Sequence, residues 1–267
     1  MSDQAAPERL DKILANNGFG SRADARKLIR SGAVTCDGAV VTKPEAKFTA
    51  CSTRITVGNV ELKYSKYIYL MMHKPEGVLS ATYDPKRRTV IDLLPEQYKS
   101  RNPFPAGRLD ADTTGFILLT DDGDLAHRLL SPKKHVEKEY QAVLDKLPGP
   151  DVIEGFEHGV VLDCDVRLRP ARLILPDACD ATPLDPTRTA HPILPDASDA
   201  TQPDSLCTVR VILTEGKFHQ IKRMFMAYGI RVVSLKRIRM GRLTLDPGLA
   251  PGGFRELTDA ELTLLLM

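Results

Sequence analysis

The chain of 267 residues lacks three things: a Cys-x-x-Cys pair, an apolar run near the roughly 20 residues that cross a bilayer, and any acidic residue between Gly216 and Leu245. Each absence excludes a class of protein or points to one. The five cysteines, at 36, 51, 164, 179 and 207, are an odd number without metal-type spacing, so neither a disulfide framework nor a zinc site is expected. A reducing cytoplasm suits such thiols. With no spanning run, and with polar residues from Met1 to Glu8 where a secretory signal would carry its apolar core, the sequence reads as cytoplasmic and without a membrane partner. The acid-free stretch carries eight basic residues (Lys217, Lys222, Arg223, Arg231, Lys236, Arg237, Arg239 and Arg242), although the net charge is only +2. Clustering of that kind is the electrostatic footprint of a protein that follows phosphates.

The opposite bias occupies residues 176–206, with six aspartates against Arg188. This stretch repeats itself: Ile174-Leu175-Pro176-Asp177-Ala178 returns as Ile193-Leu194-Pro195-Asp196-Ala197, 19 residues later. Its Pro, Asp, Ala and Thr cannot build a core, so residues 177–205 are expected to form an inserted acidic surface loop with no catalytic group.

Length and a hydrophobic share of 42% allow one or two domains with real cores. Residues 9–58 form a separate module. Leu10, Ile13 and Leu14 have helical spacing before a stop at Gly18, and Ser21 with Asp24 opens a second helix that ends at Gly32. Val34-Thr35-Cys36, the turn Asp37-Gly38 and Val40-Val41 then read as a hairpin. On the second helix Arg22, Arg26 and Arg30 follow one another at i, i+4 and i+8, with Lys27 alongside, as a basic stripe. Gly18-Phe19-Gly20-Ser21-Arg22-Ala23 fits a dinucleotide fingerprint as a string, but a helix precedes it and no acid follows at the required distance.

From Lys66 onward strand patterns fall at 67–72, 116–120, 139–144, 171–175, 208–214 and 232–238, with helices after Asp124 and from Thr258, where Glu261 completes a capping box. Strands and helices do not alternate regularly, which disfavours a doubly wound parallel sheet. An α+β fold on a mixed, largely antiparallel sheet flanked by helices is expected.

The segment Gly107-Arg108-Leu109-Asp110-Ala111-Asp112-Thr113-Thr114-Gly115 sets an acid beside a base in a tightly turning stretch before the apolar run Phe116–Leu119. A carboxylate there keeps its charge only if a cation or donors replace its lost hydration. Together with Glu139-Tyr140 and Glu215-Gly216-Lys217-Phe218-His219-Gln220-Ile221-Lys222-Arg223-Met224, this segment resembles the catalytic signature of the pseudouridine synthases, in the branch that acts on small-subunit ribosomal RNA. The N-terminal helix–helix–hairpin module resembles the S4 RNA-binding domain. The resemblance implies an S4 module over residues 1–60 and a catalytic domain over 66–267.

It also implies an isomerase that needs no cofactor and no metal, acting as a monomer on one uridine of 16S ribosomal RNA. Asp110 becomes the reacting carboxylate, either nucleophile or base towards a ribose proton. Tyr140 becomes the aromatic that lies against the uracil, and Lys222 the cation that pairs with Asp110. RNA contacts fall to Arg108, His219, Gln220, Arg223, Lys74, Arg22, Arg26, Lys27 and Arg30. Asp112 is expected to hydrogen-bond the Thr113–Gly115 turn, while an Asp-Gly turn and an N-cap account for Asp121, Asp122 and Asp124 without a metal. Phe218, Ile221, Phe225 and Tyr228 are assigned to the core. The rivals are a synthase for large-subunit RNA, a non-catalytic S4-type RNA-binding protein, and a glycosidase or RNA glycosylase. The first departs least from the motifs, the second leaves Asp110, Tyr140 and Lys222 without a joint purpose, and the third leaves the S4-like module unexplained.

Overall fold

The computed structural model describes residues 7–50, 52–62, 64–131, 134–162, 166–175 and 206–266. The acidic repeat at 177–205 and the thiols Cys51, Cys164 and Cys179 lie outside them. The chain divides into two compact units: Met1–Leu70 with Leu79–Arg108 and Leu118–Ala126, and Met71–Val78 with Leu109–Ile117 and His127–Met267.

In the first unit, Leu10–Asn16 and Arg22–Arg30 are helices because one face of each is apolar. Leu10, Ile13, Leu14, Ala25 and Ile29 are all fully buried against Val34, Cys36 and Ile55. The Ser21 hydroxyl accepts from the Asp24 amide, and the Asp24 carboxylate accepts in return from the Ser21 amide at 3.1 Å, the capping box that the spacing predicts. Asp37 and Gly38, with φ of +50° and +84°, turn the hairpin between Val34–Cys36 and Ala39–Val40. These strands continue through Ile55–Val57 and Val60–Glu61 into a four-stranded sheet. Arg22, Arg26, Lys27 and Arg30 are exposed, and Arg26 also donates to the buried Asp11 carboxylate at 3.0 Å.

Arg101 gathers several loops of this unit. Its guanidinium, whose side chain is 4% exposed, reaches Asp121 at 2.9 Å and the carbonyls of Asn16, Ser65 and Lys66 at 3.0, 3.0 and 2.6 Å. Asp121 also accepts from the Ile68 amide, and Asp122 from the Leu125 amide and the Tyr69 hydroxyl. The cap of the Gly123–Leu130 helix is therefore Asp122, two residues before the expected Asp124, because the helix begins earlier. Arg101→Met is expected to lower stability by about 3 kcal/mol, since it takes the cation from Asp121 and a donor from three carbonyls. Urea unfolding checks this.

A sheet that lies mostly in the second unit has its strands in the order Arg172–Ile174, Cys207–Leu213, Lys138–Leu144, Val232–Met240, Thr113–Thr120, Tyr69–Lys74 and Phe254–Glu256. Val232–Met240 pairs antiparallel with Lys138–Leu144 and parallel with Thr113–Thr120, so the sheet is mixed. Phe116 to Leu119 are fully buried, the uniform pattern of an interior strand. That strand starts at Thr113 rather than at the apolar run because Thr113, Thr114 and Gly115 pair with Leu235, Lys236 and Arg237. Gly115 makes this approach possible: its φ is +103°, and a Cβ there would collide with the Arg237 backbone. Helices Pro150–His158 and Gln220–Met226 meet through Phe156 and Phe225, whose ring centroids are 4.8 Å apart.

The C-terminal helix, Asp259–Leu266, opens on the expected box of Thr258 and Glu261. The Arg255 guanidinium donates to both Glu261 oxygens, holding that carboxyl at about 2 against an ordinary 4.5. A depressed carboxylate adds stability that is complete above pH 4.5 and lost as pH falls towards 2. Glu261→Gln should therefore lower Tm at neutral pH and flatten its decline through that window, as read by calorimetry.

Candidate active site

The loop that carries Asp110 is held from beneath by a buried cation. Lys74 ends the Tyr69–Lys74 strand and is fully buried. Its ammonium donates to the carbonyls of Pro75, Ala111 and Thr113 at 3.0, 3.1 and 2.8 Å. An ammonium has three donors and no acceptor, so three converging carbonyls offset much of its lost hydration. The Gly77 amide donates to Ala111 as well, and the Thr113 amide to the Asp110 carbonyl at 3.1 Å. Lys74 is therefore no phosphate ligand, contrary to expectation. It is a brace for residues 110–113.

A second loop, residues 215–219, faces this one. Glu215 accepts from Gln220 Nε2 and the Arg169 amide, both at 2.8 Å, and Gln220 Oε1 accepts from the Lys217 amide at 2.9 Å. Gln220 is 4% exposed, so it braces its own loop and presents no face to RNA, a second departure from the sequence reading. His219 then sits in the left-handed region, at φ +47° and ψ +34°, where a non-glycine residue is uncommon. Its imidazole Nε2 comes to 3.5 Å from Asp110 Oδ1.

The helix starts at Gln220 and buries Ile221, Met224 and Phe225. Phe218 precedes it and is 70% exposed, stacked on the His219 ring, so it does not belong to the core as expected. Lys222 projects from the helix to Asp112, with Nζ 2.5 Å from Oδ2, and not to Asp110 as the resemblance implies. The reason is reach. Asp112 is the more exposed carboxylate of the loop, 61% against 32% for Asp110, and Asp110 instead has His219 beside it at 3.5 Å. Burial would raise the Asp112 carboxyl, but the Lys222 hydrogen bond and charge outweigh it and hold the group below the usual carboxylate range.

The floor of the site is the sheet. Tyr140, 8% exposed, lies opposite Arg237, which lies opposite Gly115, so Tyr140 is two strand spacings, about 10 Å, from the strand that follows the Asp110 loop. Arg237 is 2% exposed and donates through Nε to the Phe116 carbonyl at 2.7 Å, while its Nη2 and the Thr113 hydroxyl are buried without a hydrogen-bond partner. Lys138, two residues before Tyr140, is pushed down to about 8 by burial and by Arg237. Arg223 and Arg108 are exposed. The sequence reading missed Arg237, Lys138 and the Asp112–Lys222 pair. Of these only the last had a visible signal, an acid two positions beyond Asp110.

A partly exposed carboxylate on a braced loop, a basic helix beside it and an aromatic on the adjoining sheet make up the candidate site. The family model for RNA pseudouridylate synthase matches residues 68–227, and that for the S4 domain matches residues 8–52. The chain belongs to the RNA pseudouridylate synthase family, and it is an RNA pseudouridine synthase with an N-terminal S4 domain. It is 43% identical over 257 residues to an RNA pseudouridine synthase of Bacillus subtilis, covering 96% of this chain and 98% of that one. Ribosomal small subunit pseudouridine synthase A of Escherichia coli K12 is 37% identical over 255 residues, covering 95% of this chain and 98% of its own. A crystal structure of a pseudouridylate synthase covers 97% of this chain and 99% of that one at 30% identity, with a TM-score of 0.61.

Proposed function

We propose that this synthase isomerises one uridine of 16S ribosomal RNA in the cytoplasm, as a monomer, with residues 1–60 as the S4 module, residues 66–267 as the catalytic domain and 177–205 as an acidic insertion in it. The observation that carries the substrate is the 37% identity to the small-subunit enzyme over 95% of the chain. The reaction breaks the bond from N1 of uracil to C1′ of ribose, turns the base and joins C5 to C1′; the proton on C5 leaves and N1 gains one, so no redox group is needed. The uridine must leave its stack to meet a carboxylate. Asp110 acts as that carboxylate, by attack at C1′ or by removing the C2′ proton. Support comes from its partial exposure, at 32%, on a loop that Lys74 fixes beside His219. Tyr140 lies against the uracil. Arg108, His219, Arg223 and the Arg22, Arg26, Lys27 and Arg30 stripe take RNA phosphates.

Lys222 acts through Asp112, tying helix to loop. If so, Lys222→Met and Asp112→Asn should each lower kcat about tenfold, and the double variant no further. Single effects that multiply, or a harmless Asp112→Asn beside a severe Lys222→Met, would place Lys222 on Asp110 directly. The substrate is tested by carbodiimide mapping of ribosomal RNA from a deletion strain. Loss of one 16S pseudouridine, restored by the wild-type gene and not by Asp110→Asn, is expected. A complete 16S pattern with a gap in 23S RNA would overturn the reading.

A further inference from the structure

We propose that the stacked pair Phe218 and His219 is a platform for a nucleobase of the RNA, beside the uridine taken at Asp110. The inference deepens the site reading above and rests on it for which base is meant. Four observations meet here. Phe218 is 70% exposed, although a phenyl ring gains much by leaving water. Its loop is not slack: Glu215 and Gln220 brace it from both ends, so the ring is held out rather than left out. The His219 ring lies under it, with centroids 3.9 Å apart and planes at 16°, and the left-handed backbone at His219 sets that stack while turning Nε2 to Asp110. Backbone strain of this kind gathers at functional sites.

The surroundings choose the occupant. Lys217, Lys222 and Arg223 lie within five residues of the ring along the chain; Lys222 is tied to Asp112 and Lys217 lies 3.9 Å from Glu215, while Arg223 is exposed. An apolar protein partner would have to bury these charged groups, whereas a single-stranded RNA places a phosphate on the exposed Arg223 and a base on the ring. Aromatic rings interleaved with cations are how proteins hold unpaired nucleotides, since every base has a π-face. The platform gives the strand a stack to keep once the target uridine has left its own.

The test compares binding of the full-length protein to a ten-nucleotide oligouridylate and to an abasic ribose-phosphate chain of the same length. Phe218→Ala should narrow the preference for the chain with bases by about tenfold, leaving affinity for the abasic chain and the melting temperature unchanged. Phe218→Tyr should keep the preference. On a 16S transcript, Phe218→Ala should raise KM more than it lowers kcat. A full preference in Phe218→Ala, or an equal loss on both chains, overturns the platform. Asp110→Asn should retain the preference, so failure of the carboxylate assignment, which is read from turnover, is told apart from failure of the platform.

Discussion

Asp110→Asn should lower turnover by about 10⁴-fold or more while RNA affinity stays the same or rises slightly. The substitution keeps the volume and keeps an acceptor for His219, 3.5 Å away, so the loop has no reason to move. What disappears is the charge. An amide neither attacks C1′ nor takes a ribose proton, and its neutrality removes one repulsion against incoming phosphates. Turnover on 16S transcript and RNA affinity, measured on the same preparation, check it. Activity within tenfold of wild type would remove Asp110 from the mechanism.

Lys74→Met is expected to have the second largest effect, and on two properties together. Methionine fills most of the space but donates nothing, so the carbonyls of Pro75 and Thr113 lose the Lys74 donor, the latter in a buried position, and Ala111 keeps only the Gly77 amide. A loss of about 3 kcal/mol follows, or roughly 10 °C in Tm. Turnover should fall about 100-fold below the transition, because Ala111 and Thr113 are held just beyond Asp110 along the loop, and a shift of about 1 Å at the carboxylate proposed to react is costly. Lys74→Arg should not rescue it, since a flat fork cannot serve three carbonyls that converge on one nitrogen. Unchanged kcat and Tm in Lys74→Met would show the brace to be dispensable.

What the sequence carried well was local or periodic. The two capping boxes, at Ser21 and Thr258, and the turn at Asp37-Gly38 depend on residues three or fewer apart, and they stand where their spacing put them. Strand centres followed from apolar runs. Strand ends did not, as at Thr113, where pairing with Leu235 extends the strand into a polar stretch. The site was legible in its segments and less so in its pairings. Lys222 could be placed on the correct face of its helix, but the choice between Asp110 and Asp112 depends on how two distant loops approach, which no periodicity records. Phe218 fits an apolar helical face only if the helix begins there, and the left-handed turn at His219 starts it two residues later. Lys74 looked like a phosphate ligand because a lysine beside a turn is usually exposed, and only the fold shows that its strand ends inside the protein.

The brace at Lys74 also bears on how freely this enzyme can change over evolutionary time. Carbonyl oxygens belong to every amino acid, so a cation that grips the chain through them is indifferent to the side chains at 75, 111 and 113. Those positions are released from the duty of keeping Asp110 in place. Drift can then recolour the partly exposed positions 75 and 111 while the loop that carries Asp110 stays where it was.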